Sequence, residues 1–188
     1  DWVKNGIVYQ VYPDRFRDGN PANNKPAGTF FYNEPGGTIV RSNTSNWNEP
    51  ICDPRQPSGP CAGTYSRNFY GGDLAGLTNK LNYLHNLGVT VIYLNPIFES
   101  PSNHGYDTTD YMKINPTFGT QAEFDALIAA AHTLGMKVVL DGVFNHTSSD
   151  SIYFDRYSRW DAAGNPTTPG VNDGSGACES GSSPYRSW

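Results

Sequence analysis

Three short apolar runs stand out from a chain that is otherwise polar. Residues 7–13 (IVYQVYP), 89–95 (VTVIYLN) and 137–140 (KVVL) are rich in Val, Ile, Leu and Tyr, and Pro13 and Pro96 close the first two, so three strands are predicted. Between the first and second runs, Leu74, Leu77, Leu81, Leu84 and Leu87 recur at steps of three and four. That spacing predicts a helix with one apolar face, stopping at Gly88. Between the second and third runs, Thr120 and Glu123 form a capping-box signature ahead of Phe124, Leu127, Ile128, Ala131 and Leu134, and Gly135 ends this helix. Strand–helix–strand–helix–strand implies a parallel sheet with right-handed crossovers, either doubly wound or part of a (β/α)8 barrel. The run Val138-Val139-Leu140 has no polar alternation, which predicts a strand covered on both faces.

The rest is mostly loop. Residues 14–72 form a long polar insertion, and a connection of that length inside a domain is usually functional. The stretch IFESPSNHGYDTTDY, after Pro96, reads as an aromatic and polar loop. Periodicity is lost after Thr147: residues 152–160 are aromatic, residues 174–187 are rich in Gly and Ser, and Tyr185 and Trp188 lie near the end. This part reads as an excursion above the sheet.

Composition adds to the picture. Hydrophobic residues make up 37% of the 188, with 20 Gly and 14 Pro, in keeping with extensive loops. The 12 Tyr fall largely in polar stretches. Flat rings beside hydrogen-bonding side chains suit sugars, whose C–H faces stack while their hydroxyls bond. A net charge of −5 without a basic cluster argues against a nucleic-acid partner. No apolar segment approaches the roughly 18 residues needed to span a bilayer, and no signal peptide is present, Asp1 reading as a mature or trimmed start. Cys52 and Cys61 flank a Pro/Gly-rich loop, and a loop-closing disulfide there predicts an oxidising, extracellular setting. Cys178 is left over, either a free thiol or the partner of a cysteine outside this chain.

Two places carry candidate chemistry. Directly after Val138–Leu140 come Asp141, Asn145 and His146, at the strand end where α/β folds keep their ligands. Near the start of the polar insertion, Asp18, Asn20, Asn23 and Asn24 place four carboxylate or amide side chains within seven residues. They are turn formers, and they also make an oxygen-rich set of the kind Ca²⁺ takes, without EF-hand spacing or its closing Glu.

These segments resemble the alpha-amylase superfamily, glycoside hydrolase family 13. DGVFNHT is similar to that family's first signature region, VYQVYPDRF to its first strand, FYGGDLAGL to the start of its first helix, and NHGYDTTDY to the loop after its second strand. The order matches, and the combination is nearest to the neopullulanase, maltogenic amylase and amylopullulanase types. The resemblance implies about three βα units at the N-terminal end of a catalytic (β/α)8 TIM barrel, residues 1–145, and the start of an inserted domain B, residues 146–188.

It also implies roles. Tyr106 corresponds to the ring beneath the glucose at the cleavage site, and His146 to a histidine bonding hydroxyls of that glucose. His104 and Asp107 line the same part of the cleft, with Gln10 approaching from the first strand. Asp141 corresponds to a supporting carboxylate that orients an arginine on the fourth strand. Ca²⁺ is implied on Asp18, Asn20, Asn23 and Asn24 with the Gly71 carbonyl and Asp73, and Asn145 corresponds to a ligand of a second Ca²⁺ joining domain B to the barrel.

Retaining hydrolysis needs a nucleophile and a general acid about 5 Å apart. In the family these stand on the fourth and fifth strands, and Asp141, Asp107 and Glu99 match neither. The chain alone is therefore expected to be inactive. The expectation is part of an enzyme acting on an α-glucan (starch, pullulan or maltodextrin), with the remainder of the barrel as its partner. Alternatives are a transglycosylase of the same family and a non-catalytic sugar-binding scaffold.

Overall fold

A three-stranded parallel sheet is the frame on which the rest is hung. The computed structural model describes residues 2, 4–28, 40–41, 52–156, 158–161, 163–165, 176–178 and 181–183. Within them β1 (Val8–Val11) is followed by a short helix α1 (Pro13–Phe16), β2 (Val40–Arg41) and β3 (Asn68–Phe69). Then come α2 (Leu74–Asn86), β4 (Val91–Leu94), β5 (Phe98–Glu99), β6 (Asp110–Ile114), α3 (Gln121–Thr133) and β7 (Lys137–Leu140). The sheet order is β1-β4-β7, with Tyr9 opposite Ile92 and Ile92 opposite Val138.

Both helices form where the pattern predicts them, and each end has a physical reason. Asp73 caps α2 by accepting from the Gly76 amide at 2.6 Å. Thr120 and Glu123 make the predicted capping box on α3. Gly88 (φ +91°) and Gly135 (φ +71°) take the left-handed conformation that ends a helix cheaply only at glycine. Leu74, Leu77, Leu81 and Leu84 of α2 join Leu127 and Ala131 of α3 in one core with Val11, Ile92 and Leu94. Both helices therefore lie on the same face of the sheet, and strand order never reverses, as in the wall of a (β/α)8 barrel.

Four expectations are corrected. Leu87 is 60% exposed, because the helix closes at Asn86 and Leu87 sits at the C-cap, rotated out of the stripe. β7 is not covered on both faces: Val138 and Val139 are half-buried and Leu140 is 41% exposed, since β7 pairs only with β4 and lies at the sheet edge. The stretch after Pro96 is not all loop, for β5 and β6 pair antiparallel within it. The polar insertion likewise holds α1 and single 3-10 turns at Pro21–Asn23 and Tyr65–Arg67.

After Thr147 the chain folds on itself. Arg159 Nη1 lies 2.5 Å from Asp150 Oδ2, the Trp160 indole donates to the Asp150 carbonyl at 2.8 Å, and Asp155 accepts from the Arg159 and Trp160 amides. Burial pushes the Asp150 carboxyl up to about 6 against the pull of Arg159. Tyr185 and Trp188 lie outside the described residues, as does most of 174–187. Among the described residues, no helix is long and apolar enough to cross a membrane.

The burial difference along α2 is measurable by denaturant unfolding of the full-length enzyme. Leu84→Ala, at a fully buried site, should cost about 2–5 kcal/mol. Leu87→Ala should stay within about 0.5 kcal/mol; comparable losses at both positions would contradict the core assignment.

Candidate functional site

The carboxyl ends of β4 and β7 project two loops that are bonded to each other at several points. The β7 ladder runs one residue past the strand, with the Asp141 amide donating to the Leu94 carbonyl at 2.9 Å. Asp141 is thereby held beside the loop that follows β4, and its Oδ2 accepts from the Tyr106 hydroxyl at 2.6 Å. His146 Nε2 lies 2.9 Å from the Tyr106 carbonyl oxygen. A carbonyl only accepts, so Nε2 carries the hydrogen and Nδ1 is left for another partner. Tyr106 and His146, separated by 40 residues, are thus neighbours.

A second set of bonds locks the loops together. The Tyr111 hydroxyl spans the carbonyls of Val143 and His146 at 2.5 and 2.6 Å. The Thr147 hydroxyl and the Ser148 amide both donate to the Thr108 carbonyl at 2.8 Å. Tyr111 packs edge-on to Phe98 of β5 and near Phe144, which is 79% exposed. No role for Tyr111 was read from the sequence, although it belongs to the quoted NHGYDTTDY segment. What the pattern could not show is that β6 aims this ring at the far loop.

His104 and Asp107 stand in the same group. Both are held through Ser102, fully buried, whose hydroxyl donates to Asp107 Oδ1 and lies 3.1 Å from His104 Nδ1. That same Nδ1 accepts from the Tyr106 amide at 3.1 Å, which tilts the His104 and Tyr106 rings toward each other at 6.0 Å. Gln10 is placed differently: it is exposed at the end of β1 and donates to Asn95 Oδ1 at 2.7 Å. Tyr106 titrates high, pushed up to about 12 by burial and then by its bond to Asp141. It is a hydrogen-bond donor at any working pH. Asp141 faces Tyr106, as a supporting carboxylate should.

The oxygen-rich loop also converges. Asp73 accepts from the amides of Gly19 and Asn20 at 3.1 and 2.8 Å, and from the Asn23 side chain at 3.3 Å. The Asn24 amide group donates to Asp18 Oδ2 at 2.7 Å. Yet Oδ1 of Asn23 and Oδ1 of Asn24 are buried without a hydrogen-bond partner. A buried acceptor left unmatched is costly, and two in one loop are the mark of a site for a hard cation. Gly71 (φ +86°) is required here, since a Cβ would take the place of the Asn24 amide oxygen. Among the described residues no cluster of three or more His, Cys, Asp or Glu could hold a metal; the donors in this loop are chiefly amide and carbonyl oxygens. Asn145 is exposed and takes no part in these bonds. Cys52 and Cys61 are joined, with Cα atoms 5.8 Å apart, and Cys178 is a free, exposed thiol.

Comparison with known proteins supplies the context for this geometry. The alpha amylase catalytic domain model matches residues 10–168. An amylopullulanase of Thermoanaerobacterium saccharolyticum is 48% identical over 163 residues, covering 85% of this chain and 12% of the relative. Neopullulanase 2 of Thermoactinomyces vulgaris is 39% identical, covering 82% and 22%. Among solved structures, the type III pullulan hydrolase from Thermococcus kodakarensis superposes with a TM-score of 0.66 at 40% identity, over 79% of this chain and 24% of that one. The chain thus spans only a small share of the length of these relatives. Taken with the parallel wall and the paired loops at its carboxyl end, these likenesses mean that the chain belongs to the alpha-amylase catalytic domain family and covers an N-terminal part of that domain.

Proposed function

We propose that this chain is part of a retaining glycoside hydrolase acting on α-glucans such as starch, pullulan or maltodextrins. Its nucleophile and general acid would lie outside the 188 residues. The observation that carries the reading is the meeting of Tyr106 and His146 through a 2.9 Å hydrogen bond. A phenol ring with its hydroxyl tethered to Asp141 offers a fixed face to a sugar. An imidazole whose Nε2 is occupied offers Nδ1 to a sugar hydroxyl. Charge that develops on the sugar ring in an oxocarbenium-like transition state is favoured next to an aromatic face. His104, Asp107 and Gln10 contribute to the walls of the same cleft. The remaining barrel strands are the partner that completes the site, and residues 146–188 begin domain B.

Alpha-amylase family enzymes commonly bind calcium. Asp18, Asn20, Asn23, Asn24, the Gly71 carbonyl and Asp73 are the residues that would hold Ca²⁺ here, since it takes about six to eight oxygen ligands. Bound there, the ion would cross-link the loop after α1 to the start of α2 and give the two buried amide oxygens a partner. Secretion is supported by the Cys52–Cys61 disulfide, because such bonds persist in oxidising compartments.

In the full-length enzyme, His146→Ala should lower kcat/KM on maltooligosaccharides by about 1.5–3 kcal/mol of transition-state stabilisation. Unchanged kinetics would remove His146 from the sugar site. A chelator should lower the melting temperature of the enzyme and added Ca²⁺ restore it; a melting curve indifferent to both would exclude the ion. Intact-mass measurement after alkylation should find Cys52 and Cys61 protected until reductant is added, and two reactive thiols in the secreted enzyme would refute the bridge.

A further inference from the structure

On the sheet face turned away from α2 and α3, register places Gln10, Tyr93 and Val139 side by side on β1, β4 and β7. Two residues further on, and so on the same face, stand Asn95 and Asp141. The polar contacts between these positions are diagonal. Gln10 Nε2 reaches forward to Asn95 Oδ1 at 2.7 Å, and the Tyr93 hydroxyl reaches forward to the Asp141 carboxylate. Diagonal neighbours across a sheet are within range of such long side chains. The backbone fixes the offset, since the Asn95 amide donates to the Val11 carbonyl at 3.0 Å and the Asp141 amide to the Leu94 carbonyl at 2.9 Å. Asp141 also accepts from Tyr106 at 2.6 Å. One carboxylate therefore serves two phenols, one on β4 and one on the loop that follows it.

We propose that Tyr93 is a positioning residue for the sugar site, holding the Asp141 carboxylate in the orientation that anchors the Tyr106 hydroxyl and so sets the plane of the Tyr106 ring. The inference rests on the reading of Tyr106 as the ring beneath the glucose. A carboxylate bonded by a single phenol keeps rotational freedom, whereas two donors from different directions fix its plane. Rigid support of this kind is what keeps a contact residue in its productive geometry. Both phenols stay protonated: burial raises the Tyr93 and Tyr106 hydroxyls, and Asp141 raises them further. Tyr93 is half-buried against the sheet, and Phe at 93 keeps its ring while removing only the donor.

The test uses the full-length enzyme carrying Tyr93→Phe, Tyr106→Phe or both. Tyr93→Phe should lower kcat/KM on maltotriose about tenfold, the scale of one charge-assisted hydrogen bond, with the melting temperature unchanged. The double variant should be no slower than Tyr106→Phe alone, because Tyr93 acts only through Tyr106. Multiplying losses, or a fully active Tyr93→Phe enzyme, would overturn the proposal. A second readout needs no turnover. In enzyme labelled at the tyrosine ¹³Cζ, the Tyr106 resonance, assigned by its loss in Tyr106→Phe, should move in Tyr93→Phe, and a stationary resonance would also overturn it. An enzyme without action on α-glucans would defeat the proposed function, yet the resonance would still decide whether Tyr93 and Tyr106 share Asp141.

Discussion

The parallel register between β4 and β7 is the constraint on which the site depends. With Leu94 opposite Leu140, the next ladder bond falls on Asp141, and the loop after each strand leaves the sheet at the same level. From there the bond of Tyr106 to Asp141, that of His146 to Tyr106 and the span of Tyr111 across Val143 and His146 tie the two loops into one unit. A shift of one residue would turn Asp141 to the helix side of the sheet. The register in turn is imposed by the core, where Ile92, Leu94 and Val138 interdigitate with the leucines of α2 and with Leu127 and Ala131 of α3.

The two faces of the sheet differ in a way that suits a piece of barrel wall. On the helix side the leucines of α2 are sealed, with Leu74 and Leu84 at 0% exposure. On the other side Val8 is 57% exposed and Gln10 and Tyr93 are reachable by solvent. In a closed barrel that inner face is packed by side chains from the remaining strands. The open face and the open edge of β7 are thus the surfaces the rest of the domain would cover, and the exposure of Leu140 has the same origin.

The helices and strands were legible because their signals are local. Leucine spacing, a capping box and two terminal glycines each act within a few residues, and all were matched by the fold. The expectation for Val138–Leu140 failed because coverage is a property of neighbours, which a run of apolar residues does not contain. Leu87 misled for a related reason, since periodicity does not reveal where a helix stops relative to its last apolar residue. The site was partly legible: Asp141 and His146 were marked by position after a strand, and Tyr106 by family resemblance. Tyr93, Ser102 and Tyr111 were not found, because each acts through one contact made across the fold. Tyr93 in particular reads as an ordinary strand residue until register sets it diagonal to Asp141.

The central claim is that a glucose ring sits against Tyr106 within reach of His146. The most direct measurement is a crystal structure of the full-length enzyme soaked with a maltooligosaccharide. The account predicts one glucose stacked on the Tyr106 ring with a hydroxyl hydrogen-bonded to His146 Nδ1. A sugar bound in the cleft with its rings away from both side chains would contradict it.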